Sequence, residues 1–408
     1  MKVDLYNRDN YVDGVPFEMF DHLRANQPVW WQEEPDGPGF WCFTRYADVV
    51  EVNRDWERFS SAKGGTMVMD MGTDELAMQQ QMMLNMDPPL HTRYRLLINK
   101  GFTPRMVKQL EDSMRDRAAR IVDAVCEKGE CDFVTDVAAE LPLQVIADIL
   151  GVPQEDRFKV FEWSNRLVGA DDPEYAVLNA ENPMEAAMEL YTYGHGIAEQ
   201  RRQHPQDDIV SILLRAEVEG HKLTELEFDM FFLLLTVAGN ETTRNALAHG
   251  MLALIEHPAE RQKLIDNPEL MDNAVEEILR WGTPVMCFRR TATQDTEVGG
   301  QAIKAGDKVV VWYISANRDE SVFENPYTFD VARPANPHVS FGSGGPHFCL
   351  GSNLAKMEMK IMYEEVLRRL PDMEIAGDVE RLKSHFINGI KHLPVKFTPA
   401  PKTAANAA

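Results

Sequence analysis

The residues best suited to chemistry lie between Phe341 and Gly351, where a glycine-rich loop leads into a predicted helix. Cys349 falls at the start of that helix, and the helix dipole with its free backbone N–H groups favours the thiolate form. The glycines let the backbone turn tightly and approach a flat ligand closely. The pattern indicates a cysteine that ligates a metal, while an inert buried cysteine and a plain turn-rich loop remain open alternatives.

A dinucleotide-binding loop fits the same segment poorly. In the frame G-x-G-x-x-G that begins at Gly342, the sixth position is His347 rather than glycine. The predicted elements around the loop form no βαβ unit, and this argues against a nicotinamide-dependent dehydrogenase.

Two further groups of polar residues lie on predicted helices. Residues 238–243 read Ala-Gly-Asn-Glu-Thr-Thr in the middle of a long apolar helix. A glycine there costs about 1 kcal/mol relative to alanine, so a helix that opens its hydrogen bonds toward a ligand explains the pattern better than core packing does. Glu277 and Arg280 are three residues apart on another helix and, taken alone, are an ordinary pair on one helix face.

The pattern along the chain predicts a mainly α-helical protein with small β-sheets. Thr224 and Glu227 form a capping box that begins the long helix, which we expect to end at Glu256. Further helices are predicted for residues 271–281 and 350–370, strands for residues 290–314, and a methionine-rich loop for residues 64–86. We expect one domain over residues 1–398 and a disordered tail over residues 399–408.

Composition limits the possible partners and the compartment. The chain has 408 residues, with 42 lysines and arginines against 65 aspartates and glutamates, a formal charge of −23. Such a chain repels nucleic acid and anionic membranes, so neither is expected as a partner. Five scattered cysteines, no signal peptide and no apolar stretch long enough to serve as a membrane anchor predict a cytoplasmic protein.

Four segments in this order resemble the cytochrome P-450 family. They are the Ala-Gly-Asn-Glu-Thr-Thr sequence, the Glu277–Arg280 pair, the segment from Pro326 to Arg333, and the cysteine loop. The distance from Phe341 to Cys349 is one residue longer than is usual in the family. The resemblance implies the P-450 fold, with haem b held between the long central helix and the cysteine loop with the last helix. It also implies a haem-thiolate monooxygenase that uses dioxygen.

The resemblance assigns roles residue by residue. Cys349 would be the axial thiolate ligand of the iron. Thr242 and Glu241 would be catalytic, with Thr242 bonding to the dioxygen that is reduced and Glu241 feeding protons. Other contacts to the haem and its propionates would come from His91, Arg95, Ala238, Gly239, Arg290, Phe341, Gly342, His347 and Gly351, although Arg289 could exchange roles with Arg290. A structural triad would comprise Glu277, Arg280 and Arg333.

The expected substrate is an apolar small molecule. Residues 83–93 and 386–395 resemble family members that hydroxylate the methyl-branched side chains of sterols and related lipids, and less closely members that act on terpene alcohols. The methionines of residues 67–86 suit an adaptable apolar lining, although loose surface packing explains them equally well. Candidate substrate contacts, which could also be plain core, are Leu234, Leu235, Val237, Val285, Met286, Phe386 and Ile387.

Separate proteins are expected to supply the electrons, namely a ferredoxin and a ferredoxin reductase. Their docking site is predicted over Cys349, on a basic patch formed by Arg93, Arg105, His347, Lys356 and Lys360. Alternatively, Lys356 and Lys360 only form ion pairs along a solvated helix. A peroxide-driven peroxygenase and a non-catalytic haem- or lipid-binding protein are the competing functions.

Overall fold

Helices dominate the computed structural model, which describes residues 1–99, 104–168, 172–178, 183–206, 208–218 and 220–403. Fifteen α-helices occur in these ranges: α1 Phe17–Asn26, α2 Tyr46–Arg54, α3 Thr73–Gln79, α4 Leu90–Ile98, α5 Pro104–Val125, α6 Glu140–Ile149, α7 Arg157–Val168, α8 Pro173–Leu178, α9 Pro183–Gln203, α10 Ile209–Arg215, α11 Glu225–Glu256, α12 Pro258–Asp266, α13 Met271–Gly282, α14 Tyr313–Ala316 and α15 Ser352–Arg369. No helix in the described part of the chain is long and apolar enough to span a membrane.

The strands are short and form four small sheets in the described residues. The largest has the order β1-β2-β8-β5-β3, in which only the β2–β8 pair is parallel. The smaller sheets have the orders β4-β12-β9, β10-β11 and β6-β7. The strands are β1 Val29–Gln32, β2 Phe40–Phe43, β3 Phe59–Ser60, β4 Glu130–Asp132, β5 Cys287–Ala292, β6 Thr296–Val298, β7 Gln301–Ile303, β8 Lys308–Trp312, β9 Glu374–Ile375, β10 Glu380–Arg381, β11 Ile390–His392 and β12 Pro394–Lys396.

Helix α11 crosses the core and organises the bundle around it. The Thr224 hydroxyl accepts from the Glu227 N–H at 3.3 Å, and the Glu227 carboxylate accepts from the Thr224 N–H at 2.7 Å, which confirms the predicted capping box. The helix continues through Gly239 to Glu256, so the polar residues 239–243 do not break it. Its buried side chains join the main hydrophobic core with those of α5, α6, α13 and α15.

The two faces of the largest sheet belong to separate clusters. Side chains alternate along each strand, so Val310 faces a core built with the N-terminal residues, while Val309 and Val311 face a core built with α2. This alternation in β5 directs Arg289 to one side of the sheet and Arg290 to the other.

One expectation about an irregular segment was wrong in part. Residues 64–86 are not entirely loop, because they contain α3 and a 3-10 turn over Met83–Asn85. In the C-terminal tail, the Ala400 N–H donates to the Cys126 carbonyl at 2.8 Å and the Thr403 N–H donates to Asp123 at 2.9 Å. These backbone bonds hold the tail against α5, and residues 404–408 lie outside the described part.

Candidate active site

A cavity lies between α11 on one side and the cysteine loop with the start of α15 on the other. Its volume is about 260 Å³, and its surface is mostly apolar. Fourteen of the residues predicted from the sequence line it: His91, Arg95, Leu234, Leu235, Ala238, Gly239, Thr242, Val285, Arg290, Phe341, Gly342, His347, Cys349 and Gly351. Segments far apart in the chain therefore meet around one space.

The cysteine loop is held in shape by glycines and by its own backbone. Gly342, Gly344 and Gly345 have φ angles of 84°, 90° and 79°, a region that other residues adopt only with strain. The Cys349 N–H donates to the Phe341 carbonyl at 2.9 Å, closing the loop. The loop is also fixed from outside, since Arg54 Nε donates to the Ser343 carbonyl at 2.7 Å.

The thiol of Cys349 faces the cavity. Burial raises its pKa above the ordinary value, and the backbone N–H of Gly351, the charge of Arg95 and the backbone N–H of Ser352 oppose this rise. A thiol in this place therefore stays protonated until a metal replaces the proton, because coordination deprotonates a thiol outright. The site suits a metal ligand better than a free nucleophile.

Four nitrogen side chains gather at one end of the cavity. His91 is 1% exposed, and neither of its ring nitrogens has a hydrogen-bond partner among the described residues. Its ring centre lies 4.3 Å from that of His347, whose Nε2 bonds to the Met86 carbonyl at 3.0 Å. Arg290 is 3% exposed, and Arg95 completes the group.

These four side chains fit an anionic ligand. Burial lowers the pKa of His91 to about 4, with Arg95 adding to the effect, and burial with the charge of Arg290 lowers the pKa of His347 well below its usual range. Buried polar groups without partners are rare in proteins and normally bind something. Haem propionates would satisfy them, so the residues present fit the cofactor expected from the sequence.

The geometry decides between Arg289 and Arg290. Arg290 lines the cavity and donates to the Arg289 carbonyl at 2.7 Å and to Asn53 at 3.4 Å. Arg289 lies on the opposite face of β5, where its Nη1 donates to Asp70 at 2.7 Å. The open exchange of roles is therefore settled in favour of Arg290 as the side chain at the cavity.

Helix α11 presents a stripe of residues to the cavity. The stripe repeats every three or four positions, as one face of a helix must, and consists of Phe231, Leu234, Leu235, Ala238, Gly239, Thr242, Thr243 and Ala246. The Thr242 hydroxyl lies in this stripe and donates to the Ala238 carbonyl at 2.8 Å. Val237 and Glu241 fall between these positions, and neither lines the cavity.

The carboxylate of Glu241 points toward α7 instead. It is 2% exposed, forms a close ion pair with Arg244, and accepts from the Ser164 hydroxyl at 3.5 Å. Arg244 also donates to Asn165 at 2.9 Å. Burial raises the pKa of Glu241, against the lowering effects of Arg244 and Ser164. The expected acid–threonine pair is thus adjacent in sequence but divided between two faces of α11.

Three other candidate substrate contacts lie away from the cavity. Met286 alternates with Val285 in an extended segment, so its side chain enters the core on the other side, where its N–H donates to the Phe386 carbonyl at 2.8 Å. Phe386 packs edge-to-face on Phe288 at 5.4 Å, which places it behind the ring that lines the cavity. Ile387 is 3% exposed and bridges to Val285 through the backbone.

Several lining residues were not singled out from the sequence. Those that the pattern offered only as core or loop are Met83, Leu84, Pro142, Ile146, Phe231 and Phe288. Met83 and Leu84 belong to the methionine-rich segment, so the idea of an apolar lining there is correct for its last residues. Pro142 and Ile146 lie one turn apart on α6, and their periodicity indicated burial without saying against what.

The predicted structural triad forms a complete network away from the cavity. Arg280 donates to both carboxylate oxygens of Glu277, at 2.7 and 2.8 Å, and Arg333 Nε donates to Glu277 at 3.0 Å. Both arginines also donate to backbone carbonyls of residues 317–328. The network ties α13 to the segment that precedes the cysteine loop.

Comparison with known proteins gives a consistent result. The family description "Cytochrome P450" matches residues 178–385. The chain is 44% identical to a steroid C26-monooxygenase of Rhodococcus jostii (strain RHA1), over 97% of this chain and 85% of that protein. It is 42% identical to a methyl-branched lipid omega-hydroxylase of Mycobacterium tuberculosis (strain H37Rv), over 95% of this chain and 92% of that protein.

A solved structure agrees with these relatives. The Mycobacterium marinum cytochrome P450 in complex with pseudoionone superimposes with a TM-score of 0.90 at 40% identity, covering 97% of this chain and 99% of that one. Fold, cysteine loop and relatives thus agree, and the chain belongs to the cytochrome P450 family of haem-thiolate monooxygenases.

Proposed function

We propose that this enzyme hydroxylates the methyl-branched end of a steroid side chain or of a related branched lipid. The observation that carries the proposal is the apolar wall of the cavity beside Cys349, formed by Leu234, Leu235, Val285 and Phe288. Such a wall holds a hydrocarbon end by burial alone and offers it no charged anchor. Relatives that act on steroids at C26 and on methyl-branched lipids at the omega position support the same chemistry.

The cofactor would be held from both ends of the cavity. Cys349 would ligate the iron, and His91, Arg95, Arg290 and His347 would bind the propionates. When bound, haem with a thiolate ligand supplies oxygen activation, because the thiolate's electron donation favours O–O cleavage. The N–H groups of Gly351 and Ser352 would hydrogen-bond the sulfur and so adjust how strongly it donates.

Thr242 would help to deliver protons to the cavity. Its hydroxyl proton is engaged by the Ala238 carbonyl, so its oxygen can accept a bond from a water or donor inside the cavity. Glu241 would act one step behind it, with its carboxyl group carrying a proton from the α7 side of the helix, where Ser164 and Arg244 hold it. The carboxylate would have to leave its pair with Arg244 to reach the cavity side of the helix.

We also propose that a ferredoxin, reduced by its reductase, supplies the electrons. The basic patch predicted from the sequence is wrong in composition, because Lys356 and Lys360 form ion pairs with Glu276 and Asp272 of α13 at 2.6 and 2.7 Å. Burial keeps His347 uncharged, and the side chain of Arg105 lies outside the described residues. Arg93 is half-buried beside Tyr94.

A smaller surface over the cysteine loop replaces that patch. Arg54 is exposed, touches the loop, and has no acidic partner among the described residues. Phe348, directly before Cys349, is 40% exposed. A cation beside an exposed ring suits a small acidic partner, with the charge guiding encounter and the ring supplying contact. All five cysteines are free thiols, which supports a reducing, cytoplasmic location.

A terpenoid substrate is the second candidate. The structural neighbour that superimposes well was solved with pseudoionone, a branched unsaturated chain. The same apolar wall would accept it, since burial does not distinguish one branched hydrocarbon end from another.

Titration of the ferric enzyme with matched ligands tests the proposal. Cholest-4-en-3-one should displace water from the iron and shift the Soret band to shorter wavelength, whereas androst-4-ene-3,17-dione, which lacks the side chain, should not. A shift with pseudoionone alone would favour the terpenoid reading. Equal responses to both steroids would contradict recognition of the side chain. In parallel, Cys349→Ala should abolish the long-wavelength Soret band of the reduced carbon monoxide complex.

A further inference from the structure

We propose that Asp70 is a positioning residue that latches the methionine-rich segment, residues 64–86, beside the cavity and so controls how fast ligands enter and leave. The proposal deepens the function given above and depends on it only in supposing that ligands reach the iron through this cavity. It follows from a buried charge cluster that the catalytic machinery does not use.

The cluster lies on the face of the largest sheet that is turned away from the cavity. Lys308 of β8 is bonded to Glu34 at 2.7 Å, and both side chains are almost fully buried. The same Lys308 Nζ lies 3.0 Å from Asp70, and Arg289 Nη1 lies 2.7 Å from the other oxygen of Asp70. Two cations and two anions therefore balance, and Asp70 is the member that belongs to the methionine-rich segment.

The backbone of the segment adds to this attachment. Arg289 donates its backbone N–H to the Thr66 carbonyl at 2.8 Å and its guanidinium to the Met69 carbonyl at 3.2 Å. A Cβ on Gly64 would clash with Arg289 Nη2, so the glycine leaves the space that the guanidinium occupies. Arg289 therefore binds residues 64–70 through both its backbone N–H and its guanidinium group.

The other end of the segment returns to its starting point. Asp87 accepts from the Ser61 N–H at 2.8 Å and from the Ser60 hydroxyl, and Asn85 accepts from the Thr66 hydroxyl at 2.8 Å. A segment whose ends are joined in this way forms a compact loop. Its last turn carries Met83 and Leu84 into the cavity wall, and the bond from Thr66 to Asn85 connects that turn to the stretch held by Arg289, so we expect a shift at Asp70 to reach the wall.

The ion pairs of Asp70 with Arg289 and Lys308 hold the segment in place, but they are accessible to water on the Asp70 side and can break. Asp70 is 48% exposed, whereas Arg289 and Lys308 are 7% and 2% exposed. Water can therefore replace the cations at the carboxylate, although opening leaves the buried cluster short of one negative charge. The attraction lowers the pKa of Asp70, against the opposing effect of its partial burial, so the latch is charged at neutral pH. Removing the charge should speed opening without altering the groups that bind haem.

Three variants test the latch: Asp70→Asn removes the charge, Asp70→Glu keeps it, and Asp74→Asn removes an exposed charge from the same segment that pairs with nothing described. The probe is 4-phenylimidazole, which coordinates ferric haem iron and does not depend on the substrate proposal. Stopped-flow should show association and dissociation both faster by about tenfold in Asp70→Asn, the change expected for about 1.4 kcal/mol. Asp70→Glu and Asp74→Asn should match the wild type.

Hydrogen exchange of residues 64–86 gives a reading independent of haem and of activity. Asp70→Asn should exchange these amides faster, and the other two variants should not. If Asp70→Asn shows wild-type binding rates and wild-type exchange, the latch does not exist. If exchange rises while the probe rates stay unchanged, the segment opens but does not control access, and the proposal is overturned in its functional part. A missing carbon monoxide band in all variants would instead count against the haem assignment.

Discussion

Two buried polar regions of this protein differ in whether their polar side chains find hydrogen-bond partners within the protein. Both carboxylate oxygens of Glu277 accept hydrogen bonds from Arg280, Arg333 or Asn336. The other N–H groups of the two arginines donate to backbone carbonyls. At the end of the cavity, both ring nitrogens of His91 are buried without any described partner. The charged groups of the first region are all paired within the protein, whereas the ring nitrogens in the second are left for a ligand.

In these two regions the difference matches the roles that the sequence predicted, a structural network and a ligand site. A buried ion network stabilises only when all its members are satisfied, so the Glu277 network is a fixed joint between α13 and the segment before the cysteine loop. Unpaired buried donors cost free energy in the empty protein, and they persist where a bound group repays that cost. Substitutions in either region test this distinction.

The largest effect is expected from Glu277→Gln. The change leaves Arg280 and Arg333 buried beside a neutral amide, and removal of one partner from a buried pair typically costs about 3–5 kcal/mol. Denaturant unfolding measures the loss. Glu276→Gln is the matched control, because the Glu276 carboxylate is 31% exposed and its ion pair is with Lys356, which is 35% exposed, and such a pair contributes about 0–1 kcal/mol. The amide oxygen of this variant can still accept the bond from the buried His338 ring. Similar losses in both variants would contradict the distinction.

Thr242→Ala should leave folding intact but disturb the chemistry. The side chain lies in the cavity stripe, and within the described part of the chain it bonds only to the Ala238 carbonyl of its own helix, so its loss breaks no tertiary contact of the kind that Glu277 makes. Loss of a positioned proton donor lowers rates by about 10²–10⁴-fold. The measurement is product formed per reducing equivalent, with hydrogen peroxide as the diverted product. Thr242→Ser should restore coupling, and unchanged coupling in both Thr242→Ala and Glu241→Gln would refute the proton-delivery role.

The sequence predicts part of the fold and of the site, and the parts that it misses depend on contacts between elements. The capping box and the apolar run predicted helix α11, and the order of the four motifs predicted the family. Fourteen of the residues that line the cavity were named from the sequence, because each motif is read from residue types along one element. Glu241 was paired with Thr242 because they are neighbours in sequence, but a helix turns about 100° per residue and sends them to different faces. Arg244 and Ser164, which hold Glu241, come from packing of α11 on α7, and single-chain patterns do not record which helices touch.

The same reasoning explains the errors on the surface. Lys356 and Lys360 looked like a basic patch because their partners on α13 are about 80 and 88 residues away in sequence. Met286, Phe386 and Ile387 are apolar and close to the right motifs, yet none of them lines the cavity. Alternation in an extended segment turns Met286 away from the side that Val285 faces. Phe386 packs against Phe288, and Ile387 is buried beside Val285, and these contacts depend on tertiary packing.

His91→Phe should affect the haem-free and haem-bound proteins with opposite signs. In the haem-free protein it removes two unsatisfied buried nitrogens, which should raise the free energy of unfolding by about 1–2 kcal/mol. In the haem-bound protein it removes a propionate contact and should speed haem loss to apomyoglobin, which accepts released haem. If the variant destabilised both states alike, His91 would be a packing residue and not a ligand contact.

The pH dependence of the haem-free protein follows from the same histidine. Burial lowers the pKa of His91 to about 4, so between its unfolded value of about 6.5 and pH 4 the unfolded chain binds more protons than the folded one. Stability therefore falls as pH falls through this window, and it is full above about pH 6.5. His91→Phe should lose part of this slope. The other buried histidines should contribute in the same direction, namely His347, whose pKa burial lowers well below its usual range, and His249 and His385, whose pKa values burial lowers to about 3 and about 4.

The smallest effect is expected at the surface, from reversal of the charge of Arg54. Arg54→Glu should slow reduction by ferredoxin at low ionic strength, and the difference should shrink as salt shortens the Debye length to about 8 Å near 0.15 M. Exposed charges at a docking rim mainly change association rates, so substrate affinity should not move. Lys360→Glu is the control, because Lys360 is already neutralised by Asp272. Since Arg54 also bonds the Ser343 carbonyl, the carbon monoxide band must first be shown to be unchanged in the variant. An equal slowing in Lys360→Glu would return the docking surface to α15, and no slowing in either variant would place it elsewhere on the molecule.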